Sequence, residues 1–431
     1  MKILLYRLGI SVLFACIASV AFPQSVVVLP ENKTESLESQ FNWLPYGFFS
    51  ESFGVGLGVG GALTAWPAEE TTLFGAYTLG TTGSTNAAVS LNQWRVPGFK
   101  RLYMSPFVMA GYYVDQILYI GSNNPGFEGE RAGTNDSSPN NYALADQWDQ
   151  QVKIEFSYLL PIGEGAGENV INRYEVDYGI LVGGATGGKG FNPMKSGRSK
   201  IWVIPQWRNQ TLKQEDEEVP LETLNVMLGL EWDNRDFPAN PSKGGYYRVN
   251  YQKDFGDQGS LSGWEVLELE LEWVFNFGAT ERAKQRVLAV DFGTATVLNW
   301  EEDADGTITR RPPQYEGATL GGLYRMRGYE TARFHDRSAV YYSAEYRVIP
   351  EWQPLQNFKW LNFAEIEYWQ WIVFAEAGRV SNTYDTRLYY DDLHFDAGVS
   401  LRGMLYTTVL RLDVAVSEEG TRIVAMYGHP F

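Results

Sequence analysis

Between Glu265 and Phe277 the chain alternates, broken only at Val266 and Val274. Leu267, Leu269, Leu271, Trp273, Phe275 and Phe277 are apolar, and Glu268, Glu270, Glu272 and Asn276 stand between them. Successive side chains of a strand point to opposite faces, so a period of two gives one apolar and one strongly polar face. The pattern returns at Val340, Tyr342, Ala344, Tyr346 and Val348 against Tyr341, Ser343, Glu345 and Arg347. It returns again at Val152, Ile154, Phe156 and Tyr158, and at Leu410, Leu412, Val414 and Val416 against Arg411 and Asp413. A soluble β-sandwich also alternates, but its strands average about five or six residues. Several runs here last nine to twelve residues, the length a tilted strand needs to cross a bilayer. Trp and Tyr stand near many of their ends, as an interfacial girdle requires. The expected fold class is all-β, a transmembrane antiparallel β-barrel, with a secreted all-β sandwich as the alternative.

Composition narrows the function. The chain has 35 Lys and Arg against 52 Asp and Glu, a net charge of −17, which excludes nucleic acid as a partner because phosphate binding needs clustered cations. Cys16 is the single cysteine, so no internal disulfide and no thiolate metal cage can form. Lys2 and Arg7 precede a short uncharged stretch from Leu8 to Phe22 that ends in Ser19-Val20-Ala21. That pattern predicts a signal peptide over 1–21, removed after Ala21 and taking Cys16 with it; a lipoprotein reading at Cys16 is the alternative.

Runs bounded by Gly, Pro, Asn and Asp clusters predict sixteen strands, near 50–64, 70–81, 85–96, 101–119, 147–160, 173–186, 200–212, 221–234, 245–254, 263–277, 284–298, 337–349, 369–380, 393–402, 405–416 and 421–430. Sixteen is even, as in bacterial single-chain barrels. Two connections are long, 121–145 and 299–336. Residues 22–49 remain as a short periplasmic N-terminal segment before a barrel over 50–431, too few for an independent domain.

Enzyme motifs are weak. Gly183 to Lys189 has the outline of a phosphate loop, but Gly190 stands where a Ser or Thr hydroxyl must hold magnesium. Gly56-x-Gly58-x-x-Gly61 has the spelling of a dinucleotide fingerprint. The fuller run Gly54, Gly56, Gly58, Gly60 instead places glycines on one face of a strand. His394 lies on an alternating strand with no serine assignable to it, and His335 sits between Arg333 and Arg337 in a loop. No His, Asp and Glu grouping has metal-site spacing, so neither catalysis nor a cofactor is expected.

Four motifs carry a resemblance. Asp233-Asn-Arg235-Asp236, followed by Pro241 and Gly244, resembles the D-x-R-D hairpin of the bacterial surface antigen family, the BamA/TamA-type outer-membrane barrels. Arg327-Gly328-Tyr329 resembles that superfamily's R-G-Y/F loop motif. Phe374-Ala-Glu376-Ala-Gly378 is similar to its F-x-D-x-G strand signature, with Glu in place of Asp. The chain ends in Tyr427 and Phe431, similar to the terminal signal read by the barrel assembly machinery. The resemblance implies that the 299–336 loop folds into the lumen and that Arg327 clasps Glu376 and Glu345, which alternation places on inward faces. It implies an outer-membrane location, contact with outer-membrane lipids and with the assembly machinery during biogenesis, and a dedicated client protein encoded nearby.

Relatives that assemble or secrete proteins usually carry periplasmic POTRA domains, which 22–49 cannot hold. The expected function is assistance in inserting or translocating a client protein, or lipid, at the outer membrane. A passive channel or structural surface antigen is the alternative, and an outer-membrane lipase-type enzyme comes third. The expected gate is a weak seam between the strand near 50–64, thinned by its glycines, and the strand near 421–430.

Overall fold

The computed structural model describes residues 27–29, 39–50, 52–122, 124–167, 172–214, 217–256, 263–302, 308–353, 366–405 and 408–427. Sixteen long strands form the wall: β1 (Gln40–Ser50), β2 (Gly54–Thr64), β3 (Thr72–Gly80), β4 (Thr85–Asn92), β5 (Leu102–Leu118), β6 (Ala143–Leu159), β7 (Arg198–Gln214) and β8 (Glu217–Asp233), then β9 (Gly244–Asp254), β10 (Glu265–Asn276), β11 (Ala283–Val297), β12 (Ser338–Pro350), β13 (Ile366–Ser381), β14 (His394–Leu405), β15 (Thr408–Ser417) and β16 (Gly420–Tyr427). Each pairs antiparallel with the next, and the sheet is a closed barrel. Trp94–Arg95 continues β4 beyond a left-handed residue, Gln93 (φ 52°).

The wall is apolar outside and polar inside. On β6, Gln147, Asp149 and Gln151 are buried while Trp148 and Val152 are exposed; on β8, Thr223 and Asn225 are buried while Leu224, Leu228 and Leu230 are exposed. In water such a surface would be an aggregation site. In a bilayer it is the lipid-facing band, and a sheet closed into a barrel is the form in which strands can span hydrocarbon.

The strand count of sixteen agrees with the sequence reading, but one of its members differs. Residues 173–186 are not a wall strand. Left-handed Tyr178 and Gly179 fold them into a hairpin of Arg173–Asp177 and Ile180–Gly183, with Val27–Leu29 added parallel to Arg173–Glu175. The wall strand that replaces it is β1, inside the segment assigned as a periplasmic tail; the barrel therefore begins at Gln40 rather than near residue 50. Its period is blurred because Leu44, Tyr46 and Phe48 alternate with Phe41, Trp43, Pro45 and Phe49, leaving both faces apolar.

The seam moves accordingly, from β2 to β1, the first member of the strand meander. The β2 glycines have a different use. Tyr46 lies flat across Gly58, where a Cβ would run into its ring, and its hydroxyl reaches Thr78 Oγ1 at 2.6 Å.

Connections alternate between the two ends of the barrel. One end carries the long connections 119–142 and 298–337. The other carries 160–197, the hairpin turn 234–243, and the start of β1 and end of β16.

Candidate functional site

The 298–337 connection enters the lumen and touches opposite walls. Glu316 accepts hydrogen bonds from Gln206 on β7 (2.7 Å) and Gln252 on β9 (3.0 Å). Arg325 pairs with Glu268 on β10 at 2.6 Å. The connection 119–142 covers it from above, through Arg131 to Asp336 (2.6 Å), Arg333 Nη1 to Ser137 Oγ (3.0 Å), and His335 Nε2 against the Tyr119 carbonyl (2.6 Å).

At the inner turn of this loop Met326 is left-handed (φ 56°), a conformation costing about 1–3 kcal/mol outside glycine. It lets two consecutive backbone amides donate to carboxylates: Arg327 N to Glu376 Oε2 (2.7 Å) and Gly328 N to Asp396 Oδ2 (3.0 Å). The fully buried Arg327 side chain adds Nε to Glu376 Oε1 (3.1 Å) and Nη1 to Glu345 Oε1 (3.0 Å) and Asp413 Oδ2 (3.3 Å). Its guanidinium lies 3.5 Å above the Phe374 ring centre, an arrangement that favours a cation further.

Around this core, Glu376 also accepts from Tyr341 Oη (2.6 Å) and Ser343 Oγ (3.4 Å). Glu345 is held by Arg347 (2.8 Å) and Arg402 (2.6 and 2.7 Å). Tyr329 Oη donates to the Phe395 carbonyl at 3.1 Å. On the last strand, Arg422 donates to the Tyr329 carbonyl and pairs with Glu330 at 3.0 Å.

Two glycines are needed for this fit. A Cβ on Gly328 would stand 2.7 Å from the Asp396 Cβ, and one on Gly378 would stand 2.9 Å from both a Leu320 methyl and the Val340 carbonyl.

All seven residues singled out in sequence for the clasp, Arg327, Gly328, Tyr329, Glu345, Phe374, Glu376 and Gly378, thus come together. Glu376, where the resembling motif has Asp, reaches both the amide and the side chain of Arg327. Sequence reasoning missed Asp396, Asp413, Tyr341, Arg402 and Arg422. Asp413 stood on an identified polar face, but nothing linear connects it to residue 327.

The hairpin motif forms a second cluster at the opposite end. Arg235 grips Asp233 (3.0 and 3.1 Å) and Glu272 (3.1 Å). Asp236 Oδ1 accepts from the backbone amides of Phe237 (2.9 Å), Ser242 (2.8 Å) and Lys243 (3.1 Å), and its Oδ2 accepts from Ser242 Oγ (2.6 Å). Pro241 is buried beside them. Gly244 is left-handed (φ 97°) and its α-carbon faces the Asn234 backbone without room for a Cβ.

The turn directs Phe237 inward against Tyr174, Ile349 and Tyr368. Asn240 there bridges Gln285 (3.1 Å), Gln370 (3.0 Å) and the Gly179 carbonyl (2.9 Å). The lumen is therefore filled from this end too. The phosphate-loop outline belongs to the same packing: Gly187 presses on the Asn234 backbone, and Gly188, whose α-carbon faces Lys243 and Asp236, donates its N–H to the Asn234 carbonyl at 2.7 Å.

His394 holds Glu418 through Nδ1 (2.6 Å) and the Asn135 carbonyl through Nε2 (2.9 Å). The terminal signal falls on the Tyr427 side chain and on Phe431, which lie outside the described residues.

Comparison with known proteins agrees with this geometry. No curated protein sequence matches the chain. Among solved structures, BamA from Haemophilus ducreyi lacking POTRA domains 1–3 superposes with a TM-score of 0.51 at 11% identity, over 90% of this chain and 69% of that one. CdiB from Escherichia coli superposes with a TM-score of 0.55 at 9% identity, over 90% of this chain and 62% of that one. At such identities these likenesses establish the fold alone. The Omp85 superfamily domain model matches residues 134–424, a span that includes the hairpin, the loop motif and the strand signature; this outer-membrane barrel belongs to the Omp85 superfamily.

Proposed function

We propose that the chain assists insertion or translocation of a client protein, or lipid, at the outer membrane, with the β1–β16 seam as its gate and the 298–337 loop as the element that holds the neighbouring strands. The observation that carries this reading is the clasp's reach. It grips β12, β13, β14 and β15 through Glu345, Glu376, Asp396 and Asp413, and the last strand through Arg422. The loop therefore braces the wall next to the seam. Opening the seam would expose backbone donors and acceptors on which an incoming strand can pair, and it needs no residue to perform covalent chemistry. A lumen filled by the loop from one end and by the 174–183 hairpin from the other supports this reading over a passive channel.

The experiment places one cysteine in Gln40–Ser50 and one facing it in Gly420–Tyr427. With Cys16 in the expected leader, the processed protein offers no competing thiol. Vesicles containing the oxidised protein should fail to accelerate folding of a urea-unfolded outer-membrane barrel, and reduction should restore the rate. Full activity with the seam locked would overturn lateral gating. Steady ion conductance through the locked barrel would favour the passive channel.

A further inference from the structure

The 160–197 connection does more than fill the barrel mouth: its last part leaves the lumen and folds over the rim onto the outer wall. Phe191 packs edge-on against Trp232 (5.0 Å between ring centres) and Tyr247 (5.3 Å), two outward residues that are themselves stacked at 4.9 Å. Tyr247 in turn meets outward Trp273 at 6.0 Å. This aromatic group continues the exposed apolar band of Leu230, Val249 and Phe275, so it sits where that band meets the headgroups.

The tip remains open. Phe191 is 73% exposed and Met194 65% exposed; exposed Lys189 and Lys195 flank them in the chain, and exposed Lys243 packs its Cβ against Gly188. Lys189 pairs with Glu164 at 2.5 Å.

The tip is also rigidly held. Lys189 N donates to Ser196 Oγ (3.1 Å), Met194 N to Asn192 Oδ1 (2.9 Å), and Ser196 N to the Asn192 carbonyl (3.0 Å). Trp232 Nε1 donates to the Ser196 carbonyl (2.9 Å), and Ser196 Oγ donates to Asn234 Oδ1 (2.6 Å). Asn234 begins the 234–243 turn that carries Phe237 against Tyr174 of the lumen-filling hairpin, so the tip and the plug share one support. A preformed loop presenting two large apolar side chains beside lysines, joined to a lipid-facing band, loses little conformational entropy on entering a membrane interface.

We propose that residues 189–195 are an interfacial foot, with Phe191 and Met194 inserted among the headgroups of the leaflet at the plug end and Lys195 and Lys243 on anionic phospholipid headgroups. The contact ties the hairpin that closes the lumen to the lipid composition outside, whether or not the barrel moves clients.

The test is depth-dependent quenching in the full protein, reconstituted into phosphatidylethanolamine–phosphatidylglycerol vesicles. An environment-sensitive fluorophore on Met194→Cys should emit to the blue, be quenched by shallow doxyl lipids and be shielded from aqueous iodide. The same label on Tyr390→Cys, exposed at the other end, should show the reverse. Both positions are surface sites, and heat-modifiable gel mobility verifies folding of each variant. Iodide quenching at position 194 equal to that at 390, with no doxyl effect, would overturn insertion. Replacing phosphatidylglycerol by phosphatidylcholine, or making Lys195→Gln with Lys243→Gln, should lower doxyl quenching at 194. Unchanged quenching in both would overturn the anionic-headgroup contact and leave an apolar foot alone.

Discussion

Replacing Arg327 by Ala removes a side chain that touches Glu376, Glu345 and Asp413 together, at 3.1, 3.0 and 3.3 Å. At an effective dielectric constant of about 20, each such contact has a Coulomb energy of roughly 5 kcal/mol, and the cost of drying the guanidinium offsets most of the sum. The net loss depends on what each carboxylate keeps. Glu345 keeps Arg347 and Arg402, and Asp413 keeps Arg411 at 3.4 Å. Glu376 keeps the hydroxyls of Tyr341 and Ser343 and the backbone amide of residue 327, but among the described residues no other cation pairs with it once Arg327 is gone. One buried carboxylate is thus stranded, at about 3–5 kcal/mol. Neutralising that carboxylate should recover part of the loss, so Arg327→Ala with Glu376→Gln should be about 1–3 kcal/mol less destabilised than the sum of the single changes. The same cycle with Glu345→Gln should couple more weakly. The measurement is the urea midpoint for loss of the fast-migrating folded form in detergent, with protease cleavage within 298–337 as the local readout. Additivity within about 0.5 kcal/mol at Glu376, or equal coupling at both glutamates, would refute the assignment of Glu376 as the stranded partner.

Three further outcomes are expected. Asp236→Ala leaves the amides of Phe237, Ser242 and Lys243 without their shared acceptor and should cost about 1–3 kcal/mol, read in the same urea titration; a loss below about 0.5 kcal/mol contradicts the cap. Gly58→Ala should be destabilising alone and close to neutral in a Tyr46→Ala background, because the added methyl collides with the Tyr46 ring; equal effects in both backgrounds would place the strain elsewhere. Burial, then the neighbouring Arg311, hold His335 well below its usual pKa, so its stabilising neutral form is secure above about pH 6.5. As pH falls below that value a released loop gains the proton that the docked loop refuses. Protease access to 298–337 should therefore rise on acidification, and His335→Gln should flatten that rise.

Much of the wall was legible because it obeys a rule the residues state locally. Long alternation marks a strand that separates lipid from lumen, and it found fifteen of the sixteen ranges. The miss at Gln40–Ser50 and the false strand at 173–186 have one origin. A lumen is not uniformly polar, and where an aromatic such as Tyr46 turns inward to lie on a glycine, the alternation disappears. Conversely, Tyr174 and Val176 alternate with charged neighbours as wall residues do, yet they pack on Phe237 inside the mouth. Periodicity reports that a strand has one apolar face; it does not report whether lipid or plug covers that face.

The clasp was half legible for a deeper reason. Strand pairing alone sets like charges side by side on the inner wall: Glu376 is the cross-strand partner of Asp396, and Arg402 that of Arg411. Such pairs repel, and in a partly dry lumen the repulsion is not screened by salt. The wall is therefore electrostatically incomplete. Arg327 and its neighbouring amide supply a cation and two backbone donors to the first pair, and Glu345 with Asp413 lies among the arginines around the second. Which charges face inward follows from alternation and can be read from one sequence. Which of them oppose each other follows from the stagger between strands, and stagger is set by the whole circumference of the barrel. The loop motif was visible because its residues are contiguous; the need it answers was not, because that need exists only once β13, β14 and β15 are in register.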